Sequence, residues 1–163
     1  MKTLQLIIFG GLFAMLSFSN YSEFDSVKFL REMADARMMD AAEGKLAAER
    51  GTTKEIRDYG KLMVKDQAML LAEIKKVAAA KSVKLPTSIS EEKSKALKNL
   101  AEKHGKDFDR KFLNMIKIDH KRDVKEFKEA IDSDNAMVVI FAKKFLPTIQ
   151  SHLDGVEKIK EEM

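Results

Sequence analysis

From about Ser26 onward, apolar residues recur every three or four positions, the period of amphipathic helices rather than of strands. Val27, Leu30, Ala34, Met38, Ala41 and Ala48 predict a first helix from Ser26 to Arg50, capped by Asp25 or Ser26 and stopped by Gly51. Thr52-x-x-Glu55 reads as a capping box opening a second helix. Its stripe is Ile56, Tyr59, Met63, Leu70, Leu71, Ile74, Val77 and Ala78, and it fades at Ser82 before Leu85-Pro86.

A crossover follows. Ser88-x-x-Glu91 resembles a second capping box and predicts a short helix that holds Leu97 and Leu100 and ends at Gly105. The next long helix is expected over Lys106 to Ile131, with Phe108, Phe112, Ile116, Phe127 and Ile131 on one side. Asp132-Ser133-Asp134 makes a tight turn into a last helix from Asn135 to Lys160, which Pro147 is expected to kink. The fold class predicted is all-α: a ferritin-like up-down four-helix bundle whose long crossover carries a short extra helix.

Polar residues inside these stripes are the candidates for chemistry. Gln67 lies between Met63 and Leu71, His120 between Ile116 and Phe127, and His152 between Ile149 and Val156. Asp123 shares the His120 face, and Asp109 sits near the Phe112 row. His104, beside Gly105, is expected to complement the end of the short helix. Counted from the Asp132–Asp134 turn, His120 and His152 differ in depth by ~8 to 9 Å, a gap that inward imidazoles nearly bridge.

A lone inward His or Gln is commonly a hydrogen-bonded core group. Two imidazoles with a carboxylate are also a ligand set for iron, zinc or copper. The metal candidates are therefore His120, His152, Asp123, Asp109 and Gln67. The usual di-iron pattern needs Glu-x-x-His on two helices. Lys117, Ile149 and Ala101 stand three residues before the histidines, and Asp40 and Glu43 are expected off the first helix's apolar face. A standard di-iron centre is thus not expected.

Composition narrows the classes further. The 163 residues are 45% hydrophobic and 34% charged, with 7 Gly and 2 Pro, as for one soluble helical domain. The absence of cysteine excludes disulfides, thiol catalysis and thiolate zinc. No Gly-rich loop follows a strand, and no Ser-His-acid set lies on loops. The methionines are spread over helix faces and read as core filler.

Lys2, the apolar run from Leu4 to Phe18, and small Ser17 and Ser19 predict an export signal over residues 1–19, leaving one bundle domain over 20–163. The run is shorter than the ~20 residues of a membrane span. Loss of Lys2 lowers the formal charge from +4 to +3, spread over mixed-sign faces, so no nucleic-acid partner is expected.

Several stretches in order resemble a known family: Gly44-Lys45-Leu46-Ala47, Met63-Val64-Lys65-Asp66-Gln67, Leu85-Pro86, Phe108-Asp109-Arg110-Lys111-Phe112, Asp119-His120, Leu146-Pro147-Thr148-Ile149 and His152-Leu153. The chain resembles the exported bacterial ferritin-like domain-of-unknown-function family four-one-four-two, many of whose members are labelled outer-membrane proteins. The resemblance implies an exported bundle in the periplasm or at the outer-membrane periphery, and no settled activity. It also implies Asp-His where this chain has Asp66-Gln67, so of a three-histidine site only His120 and His152 remain. The family's acid on the first helix maps to Asp40.

Two expectations follow. The first is a non-enzymatic envelope bundle, structural, stress-related or partner-binding, whose partner is an envelope protein or a second copy of itself. The second is a metal-binding or redox bundle built on the inward His and Asp residues. Peripheral association with the outer membrane is a third, resting only on the mild positive charge.

Overall fold

A computed structural model describes residues 24–163; the expected export signal lies outside them. Among the described residues there are five helices and no strand: α1 Ser26–Arg50, α2 Lys54–Ala80, α3 Glu91–Ala101, α4 Gly105–Ile131 and α5 Ala136–Glu161. None is long and apolar enough to cross a membrane.

The caps show why the helices start where they do. Asp25 accepts from the Val27 and Lys28 amides and opens α1. Asn135 does the same for α5 through Val138. Two caps lie beyond the expected residue. Thr53, not Thr52, caps α2 by accepting from Ile56, because Thr52 is drawn off to Asp109. Ser90, not Ser88, caps α3 through Lys93, and its own amide donates to Asp35 of α1 at 2.8 Å.

His104 does not complement the end of the short helix. It stands at the N-cap of α4, before Gly105 at φ +55°. Arg50 does the expected work instead, donating to the Ala101 and Lys103 carbonyls at 2.8 and 2.6 Å. α5 runs on through Pro147.

Four long helices bundle, and α3 packs on α1 and α4. Contacts between helix ends fix their directions. The start of α2 meets the start of α4 (Tyr59–Phe112, ring centroids 6.2 Å apart) and the late part of α5 (Tyr59 hydroxyl to the His152 carbonyl, 2.8 Å). The start of α1 meets the end of α4 and the start of α5, through Phe29–Phe127 at 5.6 Å and Phe29–Phe141 at 6.4 Å. Hence α1 and α5 run one way, and α2 and α4 the other. Near their shared turn α1 and α2 almost touch: a Cβ on Gly60 would lie 2.5 Å from the Ala48 nitrogen, so only glycine fits there.

The core is layered along the bundle axis. One end is aromatic, built on Phe29, Phe127, Phe141 and Phe145. The other holds Phe108, Phe112 and Tyr59, with Arg50 over the Phe108 ring at 5.1 Å. Between them lies a polar belt about halfway along each long helix. The buried face of α1 is rotated from the expected one. Val27 is exposed, and Met38, Ala41 and Ala48 are half-buried, while Phe29, Met33, Arg37, Asp40, Glu43, Gly44 and Ala47 turn inward.

Candidate functional site

Helical side chains lean toward their own N-termini. On α4, His120 therefore leans away from the Asp132–Asp134 turn, while on α5, His152 leans toward it. The depth difference counted from the sequence closes, and the two rings meet edge-on, centroids 5.4 Å apart. Gln67, His120, Asp123 and His152 are all buried, as their spacing predicts. The structure brings the four to one level of the bundle.

Asp109 is buried but does not join them. It lies at the start of α4, eleven residues before His120, which is ~16 Å along a helix. Its carboxylate accepts from the Thr52 amide at 3.2 Å and from the Thr52 hydroxyl, tying the α1–α2 turn to α4. It shares the Phe112 row but lies too far along α4 to reach the belt.

The largest departure from expectation is α1. Arg37, Asp40 and Glu43 all point into the belt with 0%, 1% and 0% exposure, so Asp40 and Glu43 are not on a solvated face. The Arg37 guanidinium donates to Asp123, and its Nη2 stands 3.2 Å from Asp40 Oδ2. The second contact is at ion-pair distance but out of hydrogen-bond alignment, so Asp40 Oδ2 remains without a donor. Arg37 Nε and Nη1 are likewise unpartnered.

The imidazoles carry their tautomers in their contacts. His120 Nδ1 lies 3.1 Å from the Ile116 carbonyl, which can only accept. Nδ1 therefore holds the proton, and Nε2 faces the Gln67 amide nitrogen at 3.5 Å. His152 Nε2 lies 3.0 Å from Asp66 Oδ2, and its Nδ1 has no partner.

Burial dominates the electrostatics. It pushes the His120 pKa down to about 4, with Arg37 adding to the effect. It lowers His152 too, against the pull of Asp66. Burial pushes Asp40 up to about 7, opposed by Arg37 and reinforced by Asp123. Glu43 is held well above the usual carboxylate range by burial, with Asp40 and Asp119 repelling its charge. Burial also disfavours charge on Arg37, but Asp123 and Asp40 outweigh it and hold the guanidinium protonated.

Two overlapping sets of three groups each place their ligand atoms within 4.8 Å of one another: Asp40, His120 and Asp123, and Asp40, Glu43 and Asp119. Asp40 belongs to both. Chemically, the belt can hold protons or a cation; its buried polar groups are carboxyls, imidazoles, one amide and one guanidinium. His152 and Gln67 sit beside the first set rather than in it. Periodicity alone leaves Arg37, Glu43, Asp66 and Asp119 out of the belt, and Asp40 enters the sequence reading only through the family resemblance. One signal was present: Met33, Arg37, Asp40, Gly44 and Ala47 follow one another at four, three, four and three residues, a single helical stripe.

No curated protein matches the chain. Among solved structures it is similar to the crystal structure of a DUF305 fragment from Deinococcus radiodurans, with a TM-score of 0.69 at 17% identity, over 84% of this chain and 95% of that one. At that identity the likeness speaks for the fold alone. The sequence profile of the domain of unknown function DUF4142 matches residues 18–159, nearly the whole chain, and the protein belongs to that family.

Proposed function

We propose that this protein is an exported, non-enzymatic bundle of the cell envelope, ferritin-like in topology, that holds a divalent metal ion in its polar belt. One observation carries the reading. Three fully buried carboxyl groups, Asp40, Glu43 and Asp123, share the belt with a single buried guanidinium. Asp40 Oδ2, both Glu43 oxygens, Asp123 Oδ1 and His152 Nδ1 have no hydrogen-bond partner. Buried polar atoms are rarely left so, and Asp40, Glu43 and Asp123 each belong to a set of ligand atoms within 4.8 Å of one another, which suits an ion. When all three are ionised they carry two charges more than Arg37 offsets, the charge that a divalent ion brings.

The belt offers carboxylate and imidazole donors and no thiolate, a set for a hard or borderline divalent metal rather than a soft one. Holding rather than turnover is favoured because His120, Gln67 and His152 are buried and the Arg37 guanidinium already engages Asp123. The topology supports a ferritin-like bundle, since α1 and α5 run against α2 and α4 with the crossover between α2 and α4. The envelope assignment rests on Lys2, the apolar run from Leu4 to Phe18 and small Ser17 and Ser19.

The test is metal content of the protein purified without a metal-chelating tag, followed by calorimetric titration of the chelator-treated chain. The expected result is one divalent ion per chain, with binding abolished by Asp40→Asn, since Asp40 belongs to both ligand sets. A metal-free protein with no titration heat rejects the reading.

Arg37 favours a second reading. Its guanidinium stands between Asp40 and Asp123, where a metal bridging them would lie, and Gln67 puts a neutral amide beside His120. On this reading the belt is a self-neutralised structural core, and function resides in a surface that binds an envelope partner. The same titration separates the two.

A further inference from the structure

The belt has two ends that differ in what they offer an ion. At the inner end, His120 and Asp123 meet Asp40 beside Arg37, whose guanidinium already pairs with both carboxylates. At the outer end, Asp40, Glu43 and Asp119 bring one oxygen each within 4.8 Å of the others. Glu43 is fully buried there with neither oxygen partnered. Its carboxylate has no protein donor, so the acids alone do not account for the arrangement.

The outer end also has access. Asp119 is 22% exposed and lines a crevice of about 410 Å³ between α1, α3 and α4. Five carboxylates line the crevice: Glu32, Asp35, Glu92, Asp119 and Glu126. Its two cations are already engaged. Lys93 lies 3.4 Å from Asp35, and Arg122 holds Asp119 at 2.7 Å. A cleft with surplus negative charge concentrates cations at its mouth.

We infer that the outer end is the ion's seat: a hard or borderline divalent cation of the Mn²⁺ type enters along the acidic crevice and is held by Asp40, Glu43 and Asp119. Arg37 remains the cation of the inner end. Oxygen-only ligands select this class of ion over a soft one. The charges then balance: Asp40, Glu43, Asp119 and Asp123 against Arg37, Arg122 and the divalent ion. This inference rests on the cation-binding reading and assigns it a place, a route and an ion class.

The test is Mn²⁺ titration of the purified chain, followed by electron paramagnetic resonance of the free ion, for wild type, Glu43→Gln, Asp119→Asn and His120→Ala. Glu43→Gln replaces a buried carboxyl by a neutral group of the same shape, and its thermal melt without metal confirms that it folds. Glu43→Gln and Asp119→Asn are each expected to weaken Mn²⁺ binding by more than about tenfold, with His120→Ala changing it far less. Mn²⁺ binding that survives Glu43→Gln and is lost in His120→Ala moves the ion to the inner end and overturns the placement alone. Tight Zn²⁺ binding through His120 with no Mn²⁺ binding overturns both the placement and the ion class. A wild-type chain that takes no divalent ion fails the cation-binding reading as a whole.

Discussion

The aromatic end of the bundle and its polar belt are equally dry but are held by different forces. Phe29, Phe127, Phe141 and Phe145 gain by leaving water, and their offset and edge-on contacts add to that gain. Arg37, Asp40, Glu43 and Asp123 lose by leaving water and recover only what their mutual attraction returns. An apolar layer on each side makes the belt possible. The end layers stabilise the fold, and the belt is a cost carried in the middle of the molecule.

The largest effect should come from breaking the belt at its one buried cation. Arg37→Met leaves Asp123 and Asp40 buried without a counter-charge, a loss of about 3 to 5 kcal/mol. Chemical denaturation in chelator is the measurement. Adding Asp123→Leu to Arg37→Met removes both partners of the pair, and should recover much of the loss, because an apolar replacement of a buried ion pair is often neutral. If the double variant is as unstable as the single one, the belt's cost does not lie in the Arg37–Asp123 pair.

What was legible in the sequence follows the same division. On α2, α4 and α5 large apolar residues recur at helical spacing, and although Leu62, Val64, Met69, Ile118, Met137 and Ile140 fall outside that stripe, the spacing points Gln67, His120, Asp123 and His152 inward. α1 is rich in Ala and Met on several sides and packs on α2, α3 and α4. Its stripe is broad, and a face drawn through Val27, Ala41 and Ala48 leaves Asp40 and Glu43 off its centre. Asp109 shows a different limit. Its partner Thr52 is 57 residues away, so only tertiary structure could separate its role from that of the belt.

A middle-sized effect sharpens the comparison through pH. The folded chain raises the Glu43 pKa, chiefly by burial. A carboxyl raised on folding contributes stability that is full below its unfolded value of about 4.3 and is lost as pH rises. Glu43→Gln lacks that loss. In chelator, the variant should match wild type near pH 4 and exceed it increasingly above, by about 1 to 3 kcal/mol at pH 8. Denaturation series at several pH values read this directly. Mn²⁺ should reverse the order at pH 8, stabilising wild type and not the variant. The rings of Phe29, Phe127, Phe141 and Phe145 carry no titrating group to produce such a crossing.

The smallest effect tests whether an end layer and the belt can be separated at all. Tyr59, in the layer of Phe108 and Phe112, touches both: its ring packs on Phe112, and its hydroxyl donates to the His152 carbonyl at 2.8 Å, pinning α5 to α2 at the edge of the belt. Tyr59→Phe keeps the ring and deletes the pin, at a cost of about 1 kcal/mol. For a domain of this size that is a fall of roughly 2 to 4 °C in Tm. The proposed seat of the ion is built from α1 and α4, and α5 contributes nothing to it. Mn²⁺ affinity should therefore stay at the wild-type value while Tm falls. Loss of both together would mean that the packing of α5 sets the geometry of Asp40, Glu43 and Asp119 from across the bundle, and that end layer and belt act as one unit.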